Sequence, residues 1–244
     1  MSSIPSIEVP RAILAADTHL DEHEGTTLLE QLLKEAAARK APLFILGDFI
    51  NLWFESHRLG RAYAPIFKPV KEFVEAGGEG YFIPGNRDFL ARGVFHRHCG
   101  LQVLPEVADL TVAGTPYRLL HGDQVYLGDR NYRIYRQIVR NGLVRGLLRI
   151  LPDFMLRGMA GIMQRDPEMP EPDKQIDVDL VRFSKRIYTP HVSTYICGHV
   201  HRSLTEKHDI DGHTITIRTL NSWVCEPEYF VIDEDGIHSR TLEK

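Results

Sequence analysis

Cysteine is scarce in this chain, and that scarcity removes two options at once. Cys99, Cys197 and Cys225 are widely spaced and odd in number, which argues against a disulfide framework or a thiolate zinc site and fits a reducing compartment. No apolar run approaches the roughly 20 residues that span a bilayer. The N-terminal stretch MSSIPSIEVPRAILAAD lacks the basic segment and long apolar core of a secretory signal. Positive charge is not in surplus either. The 29 Lys and Arg face 33 Asp and Glu, for a formal net charge of −4, so the molecule as a whole is no electrostatic trap for nucleic acid. Internal repeats are absent, and only RDPEMPEPDK approaches low complexity. These exclusions leave a cytoplasmic globular protein with no nucleic-acid partner. Its 244 residues suffice for one large domain or a domain carrying an insertion.

What is present begins with alternation. The apolar runs RAILAAD, PLFILGD and GYFIPGNRD read as buried strands, and TTLLEQLLKEAAARK and IFKPVKEFVEAGG carry apolar residues at helical spacing between them. Strand–helix–strand units imply a parallel sheet flanked by helices. From residue 101, LQVLP, ADLTVAG and PYRLLHGD suggest a second, more antiparallel sheet, and after the segment described next strands resume with STYICGHVH, TITIRTLN and EYFVID. Residues 126–188 interrupt this pattern with arginine-rich helical sequence. The fold class expected is therefore an α/β two-sheet sandwich flanked by helices. Its core would be residues 1–125 and 189–244, and residues 126–188 would form a helical cap insertion.

In such sheets the chemistry collects beyond the carboxyl ends of the strands, and the strand-like runs end in polar clusters. Asp17 and His19 follow the first run. Their i, i+2 spacing in extended backbone aims a carboxylate and an imidazole the same way, a pairing suited to a divalent transition metal. Asp48 follows Gly47, and GNRD supplies Asn86, Arg87 and Asp88. An amide oxygen ligates a metal without adding charge, and the guanidinium of Arg87 grips phosphate well. HGD supplies His121, and GHVH supplies His199 and His201 with the same i, i+2 spacing. Taken singly, each cluster has an ordinary reading as turn chemistry or surface histidine. Between them the clusters offer oxygen and nitrogen donors and no thiolate.

The ordered clusters DxH, GD, GN, HGD and GHxH resemble those of the calcineurin-like metallophosphoesterase superfamily. The resemblance implies a two-metal centre, with Asp17, His19 and His201 on one ion, Asn86, His121 and His199 on the other, and Asp48 bridging. Such centres ionise a shared water near neutral pH and support in-line displacement at phosphorus. Many relatives place a histidine after the GN asparagine, where this chain has Arg87. A guanidinium is a poor proton donor but stabilises negative charge, so the site suits a leaving group that needs no protonation, such as a phosphate expelled from an anhydride.

Within the superfamily, GYFIPGNRDFL, LGDFINLWF and HGDQVYLGDRNYRIYR resemble the UDP-2,3-diacylglucosamine pyrophosphatases of lipid A synthesis. That resemblance implies hydrolysis to UMP and 2,3-diacylglucosamine 1-phosphate, usually with Mn²⁺, and a nucleotide-lipid substrate. It makes Asp48, Asn86 and Arg87 catalytic, and it places Asn86, Arg87, Asp129, Tyr132, Arg136, Lys174 and His199 near the substrate. LNSW, ending at Trp223, matches the family's Leu-x-x-Trp. The chain departs from the family pattern at Asn51, where an acid is frequent, at Pro84, and after the histidine pair in GHVHRS. Two alternatives stay open: a relative acting on another nucleotide diphosphate or phosphodiester, and an inactive scaffold of the same fold. Residues 130–165 hold eight arginines among Leu, Ile, Val, Phe and Met. They read either as a helix face solvated on one side or as a basic amphipathic surface for anionic lipid. The second reading implies peripheral attachment to the inner face of the inner membrane.

Overall fold

The computed structural model describes residues 4–21, 26–51, 53, 55, 57–126 and 178–243. Its centre is a pair of six-stranded sheets among the described residues. In the first, strands β2 (Ala12–Ala15), β3 (Leu43–Leu46), β4 (Gly80–Ile83) and β5 (Gln102–Val103) run parallel. Strand β11 (Glu228–Asp233) joins antiparallel beside β2, and β12 (Gly236–Thr241) closes that edge. AILA and LFIL are buried at every position. They are unbroken apolar runs because both faces of a central parallel strand are covered.

One face of this sheet receives helices α1 (Thr27–Arg39), α3 (Ala64–Glu75) and α4 (Gly93–Cys99), with the short α2 (His57–Ala62) alongside. Ile13, Leu43, Ile45 and Phe82 meet Leu29, Leu33, Phe67 and Phe95 there. The spacing Leu29, Leu32, Leu33, Ala36 puts one stripe of α1 on the sheet. The other face, with Leu14, Phe44, Leu46, Ile83 and Phe230, packs on Leu110, Val112, Leu119 and Ile196 of the second sheet.

The second sheet comprises β1 (Ser6–Val9), β6 (Val107–Val112), β7 (Thr115–Leu120), β8 (Thr194–Cys197), β10 (His213–Thr219) and β9 (Leu204–Ile210) in that order. Its outer face carries Leu120, Tyr195, Cys197, Ile215 and Ile217, covered by Phe183 and Ile187 from helix α5 (Leu180–Arg186) and the residue after it.

The expected α/β sandwich is therefore the one observed, with two corrections. The segment LQVLP supplies β5 to the first sheet rather than opening the second. The second sheet is mixed rather than mostly antiparallel: β1–β6, β7–β8 and β8–β10 pair parallel, β6–β7 and β9–β10 antiparallel. Crossovers through helices and long loops bring parallel neighbours together, and hydropathy in a short strand does not record strand direction.

Of the expected insertion, residues 178–188 are described, and α5 packs on the second sheet. Tyr126 and Val178 form an antiparallel bridge, reinforced by Asp179 N–H donating to Val125 O at 2.9 Å. Residues 127–177 lie outside the described residues, and with them Asp129, Tyr132, Arg136 and Lys174.

Candidate metal centre

Five strands deliver the polar clusters to one place. Asp17 and His19 follow β2, Asp48 follows β3, and Asn86 and Arg87 follow β4, three adjacent parallel strands of the first sheet. His121 follows β7, and His199 and His201 follow β8, parallel neighbours in the second sheet. Parallel pairing puts each group's strand ends on one side, and the two sets face each other.

The backbone reaches this arrangement by a route that alternation did not foresee. Asp17, His19, Asp48, His199 and His201 all have positive φ, between 47° and 73°, so DTH and HVH are left-handed turns rather than extended strand. His19 and Asp17 still converge, with Nε2 3.9 Å from Oδ1. His199 and His201 diverge into different halves of the cluster. The turns are stitched together by main-chain bonds: Asp17 N–H to Gly47 O at 3.1 Å, His19 N–H to Asp48 O at 3.0 Å, and Leu20 N–H to Phe49 O at 3.0 Å. Thr18 Oγ1 donates to Phe49 O at 2.6 Å. Ser222 Oγ and Trp223 N–H both donate to Asp17 O, at 3.0 and 3.1 Å. Two glycines permit the close approach. A Cβ on Gly198 would stand 2.0 Å from Asp17 Oδ2, and one on Gly85 would stand 2.3 Å from Asp48 Oδ1.

In one half of the cluster, His201 Nε2 lies 3.5 Å from Asp17 Oδ1 and 3.0 Å from His19 Nε2. In the other, Asn86 Oδ1 lies 2.8 Å from His121 Nε2 and 3.1 Å from His199 Nδ1. His121 Nε2 is also 3.7 Å from Asp48 Oδ1. Asp17, His19 and His201 offer ligand atoms within 4.8 Å of one another, and so do Asp17, Asp48 and His121. The carboxylate common to these two groups is Asp17, which stands beside Asp48 at the junction of the halves.

The donor set fits divalent cations. Asp17 Oδ1 is buried and has no hydrogen-bond partner among the described residues, although Asp17 Oδ2 accepts His199 N–H at 2.7 Å. His121 Nδ1 lies 2.9 Å from Leu46 O. Donating there leaves Nε2 as the ligand atom of the neutral ring. Burial lowers the His121 pKa, but the charges of Asp48, Asp17 and Asp123 and the Leu46 carbonyl outweigh it and lift it to about 9. Surrounding carboxylates thus call for positive charge at this spot, which a proton or a cation can supply. Burial, with the charge of His121, pushes His199 down to about 4. Burial, with Arg87 and His201, does the same to His19 against the pull of Asp48 and Asp17. Burial raises the Asp17 pKa, yet His201, His121 and His19 together hold it well below the usual carboxylate range. Asp17 is thus an ionised acid close to the neutral imidazoles of His19 and His199, the state a metal requires of such ligands.

Arg87 is largely buried at the rim of the cluster, with Nε 3.8 Å from Asp48 Oδ2 and its own N–H donated to Asp48 Oδ1 at 2.8 Å. Asn51 Nδ2 bonds Asp21 Oδ2 at 3.2 Å, not a member of the cluster. All seven expected ligands and Arg87 are therefore brought together.

The reading from sequence did not assign work to several residues that hold them. Asp88 is fully buried beneath the Asp48 turn. Glu228, also buried, accepts from Asn221 N–H at 2.7 Å and Ser203 Oγ at 2.9 Å, bracing the loops around Trp223 and His201. The signal for Asp88 was its place in GNRD. Glu228 opens an apolar strand and carries no local cue.

A two-sheet α/β sandwich with Asp, Asn and His ligands gathered at its strand ends defines a metal-dependent phosphoesterase. The family model of calcineurin-like phosphoesterases matches residues 10–203, and the chain belongs to that family. It is similar to the UDP-2,3-diacylglucosamine hydrolase of Edwardsiella ictaluri (strain 93-146), 30% identical over 232 residues that cover 93% of this chain and 90% of that one. The protein of the same name from Azotobacter vinelandii (strain DJ / ATCC BAA-1303) is 30% identical over 231 residues, covering 93% and 96%. That from Pseudomonas aeruginosa (strain UCBPP-PA14) is 29% identical over 229 residues, covering 92% and 95%.

Proposed function

We propose that this chain hydrolyses the diphosphate linkage of UDP-2,3-diacylglucosamine, releasing UMP and 2,3-diacylglucosamine 1-phosphate. The observation that carries the reading is the gathering of the whole donor set around Asp17 and Asp48 with Arg87 beside it. Relatives named for that substrate align along nearly the whole chain. Asp17, His19 and His201 would hold one cation, Asn86, His121 and His199 a second, with Asp48 between them. The absence of thiolate from the set suits Mn²⁺ among the hard to borderline ions. When bound, such ions polarise phosphate oxygens and lower the pKa of water.

The remaining work belongs to the chain. Arg87 offers a permanent positive charge to the phosphate oxygens, and Asn86 and His199 line the same wall. Water adds at the α-phosphorus, and the bridging oxygen departs with the sugar phosphate. That leaving group is stable as an anion, so no residue need protonate it, and a guanidinium serves where an alkoxide would require an acid. Asp129, Tyr132, Arg136 and Lys174 are assigned to substrate on sequence grounds alone.

Release of UMP from the diacylated sugar nucleotide, measured with Mn²⁺ present, tests this directly. Turnover is expected for the native chain and loss of nearly all of it for Asp48→Asn. Activity confined to simple phosphodiesters would assign the chain to another substrate.

A further inference from the structure

Among the described residues, Asp88 is the least exposed acid that no ligand assignment uses, and main-chain N–H groups surround its carboxylate. It is 0% exposed. Oδ1 accepts the N–H of Gly85 at 2.8 Å and of Asp48 at 3.2 Å, and Oδ2 accepts the N–H of Phe49 at 2.8 Å. Every donor is main chain, and the three donors come from two different loops: the turn after β3 that carries Asp48, and the turn after β4 that carries Asn86. The link is closed from the other side, where Arg87 N–H donates to Asp48 Oδ1.

We infer that Asp88 is a positioning residue that sets the separation of the Asp48 and Asn86 ligand oxygens. Asp48 sits in a left-handed conformation with φ of 49°, which non-glycine backbone adopts only when its surroundings hold it. Asp88 supplies that hold by taking the N–H of Asp48 and of the next residue. Its third bond fixes Gly85, whose missing side chain lets the two turns touch. The geometry demands two acceptor oxygens. An asparagine keeps the shape but replaces one oxygen with an N–H₂ that faces a main-chain donor, so at least one bond becomes a repulsion. Glutamate keeps both oxygens but adds a methylene to a filled space.

The inference rests on the proposed metal centre, and the test separates the two. Mn²⁺ alone is titrated calorimetrically into the native protein, Asp88→Asn, and the control Asp109→Asn. The control makes the same chemical change in the bidentate pair between Asp109 and Arg118, outside the ligand cluster. Native protein is expected to bind two Mn²⁺. Asp88→Asn is expected to lose roughly 10–100-fold in affinity for Mn²⁺, as disruption of groups that orient ligands does, with activity partly restored by excess Mn²⁺. Asp109→Asn is expected to lower the melting temperature while binding Mn²⁺ as the native protein does. Native-like Mn²⁺ affinity in Asp88→Asn, or an equal loss in both variants, overturns the positioning role and leaves the centre standing. Native protein that takes up no Mn²⁺ overturns both.

Discussion

Left-handed backbone is concentrated at the cluster: of the eight described non-glycine residues with positive φ, five are Asp17, His19, Asp48, His199 and His201. Each such residue costs about 1–2 kcal/mol, and the cross-loop bonds from Gly47, Asp48, Phe49 and Asp88 offset that cost. The candidates for this cluster were legible because carboxylates, amides and imidazoles behind apolar runs are a chemical pattern. Their backbone was not, because the i, i+2 rule presumes extended chain and these turns are made tertiary by their partners. Arg87 was also legible, as a guanidinium where a proton donor is frequent. Its 3.8 Å approach to Asp48 puts its charge beside the reacting phosphate in the proposed complex. Arg87→Ala should lower kcat by roughly 10²–10³, the loss typical for one group that stabilises transition-state charge, and Arg87→Lys should recover only part of it. Steady-state UMP release measures both. A kcat for Arg87→Ala within a factor of two of native would remove Arg87 from the chemistry.

At the level of elements, legibility followed burial. AILA, LFIL and TYIC announced themselves because they are covered on both faces, and α1 because its apolar stripe has helical spacing. Edge strands β1 and β12, with SIEV and GIHSRT, are half exposed and carry no such run. Helix α5 was legible as a helix, but not as part of the core, because its docking is made by a distant residue. Arg118 on β7 is 2% exposed. Its Nε and Nη2 donate to Asp109 at 2.7 and 2.8 Å, and its Nη1 donates to Ile187 O just beyond α5. One guanidinium therefore ties two strands of the second sheet to the helix covering it. Arg118→Ala leaves the Asp109 carboxylate and the Ile187 carbonyl without this partner, and the expected loss is about 3–5 kcal/mol of stability. Urea unfolding reads that loss directly. The folded fraction should still bind Mn²⁺ like the native protein, since the hydrogen bonds of Arg118 run to Asp109 and Ile187, outside the cluster. A change under 1 kcal/mol would show that α5 is held by its apolar face alone.

For the molecule as a whole, residues 127–177 are the stretch whose sequence points to substrate and lipid, inserted between described parts of the core. Tyr126 and Val178 pair as antiparallel bridge partners, a geometry with Cα atoms about 4.5–5.5 Å apart. The segment thus leaves and re-enters the core at one point. Both flanks are buried in one apolar cluster of the core: Val125 and Tyr126 on one side, Phe183 and Ile187 on the other. No described helix is long and apolar enough to cross a membrane. Residues 130–165 carry eight arginines against the single acid Asp153, in a chain whose net charge is −4. Positive charge is therefore in local surplus in the stretch that also holds Tyr132 and Arg136. Replacing residues 127–177 with a short glycine-rich linker should leave a folded core that binds Mn²⁺ and hydrolyses bis(p-nitrophenyl) phosphate. The same variant should no longer sediment with vesicles containing anionic phospholipid, and should release UMP from the diacylated substrate at least about 10²-fold more slowly, since productive orientation of a bound substrate is worth that much or more. Vesicle binding that persists after the excision would place the lipid-facing surface on the core instead. UMP release that persists would mean that the cluster and Arg87 orient the substrate without any help from the insertion.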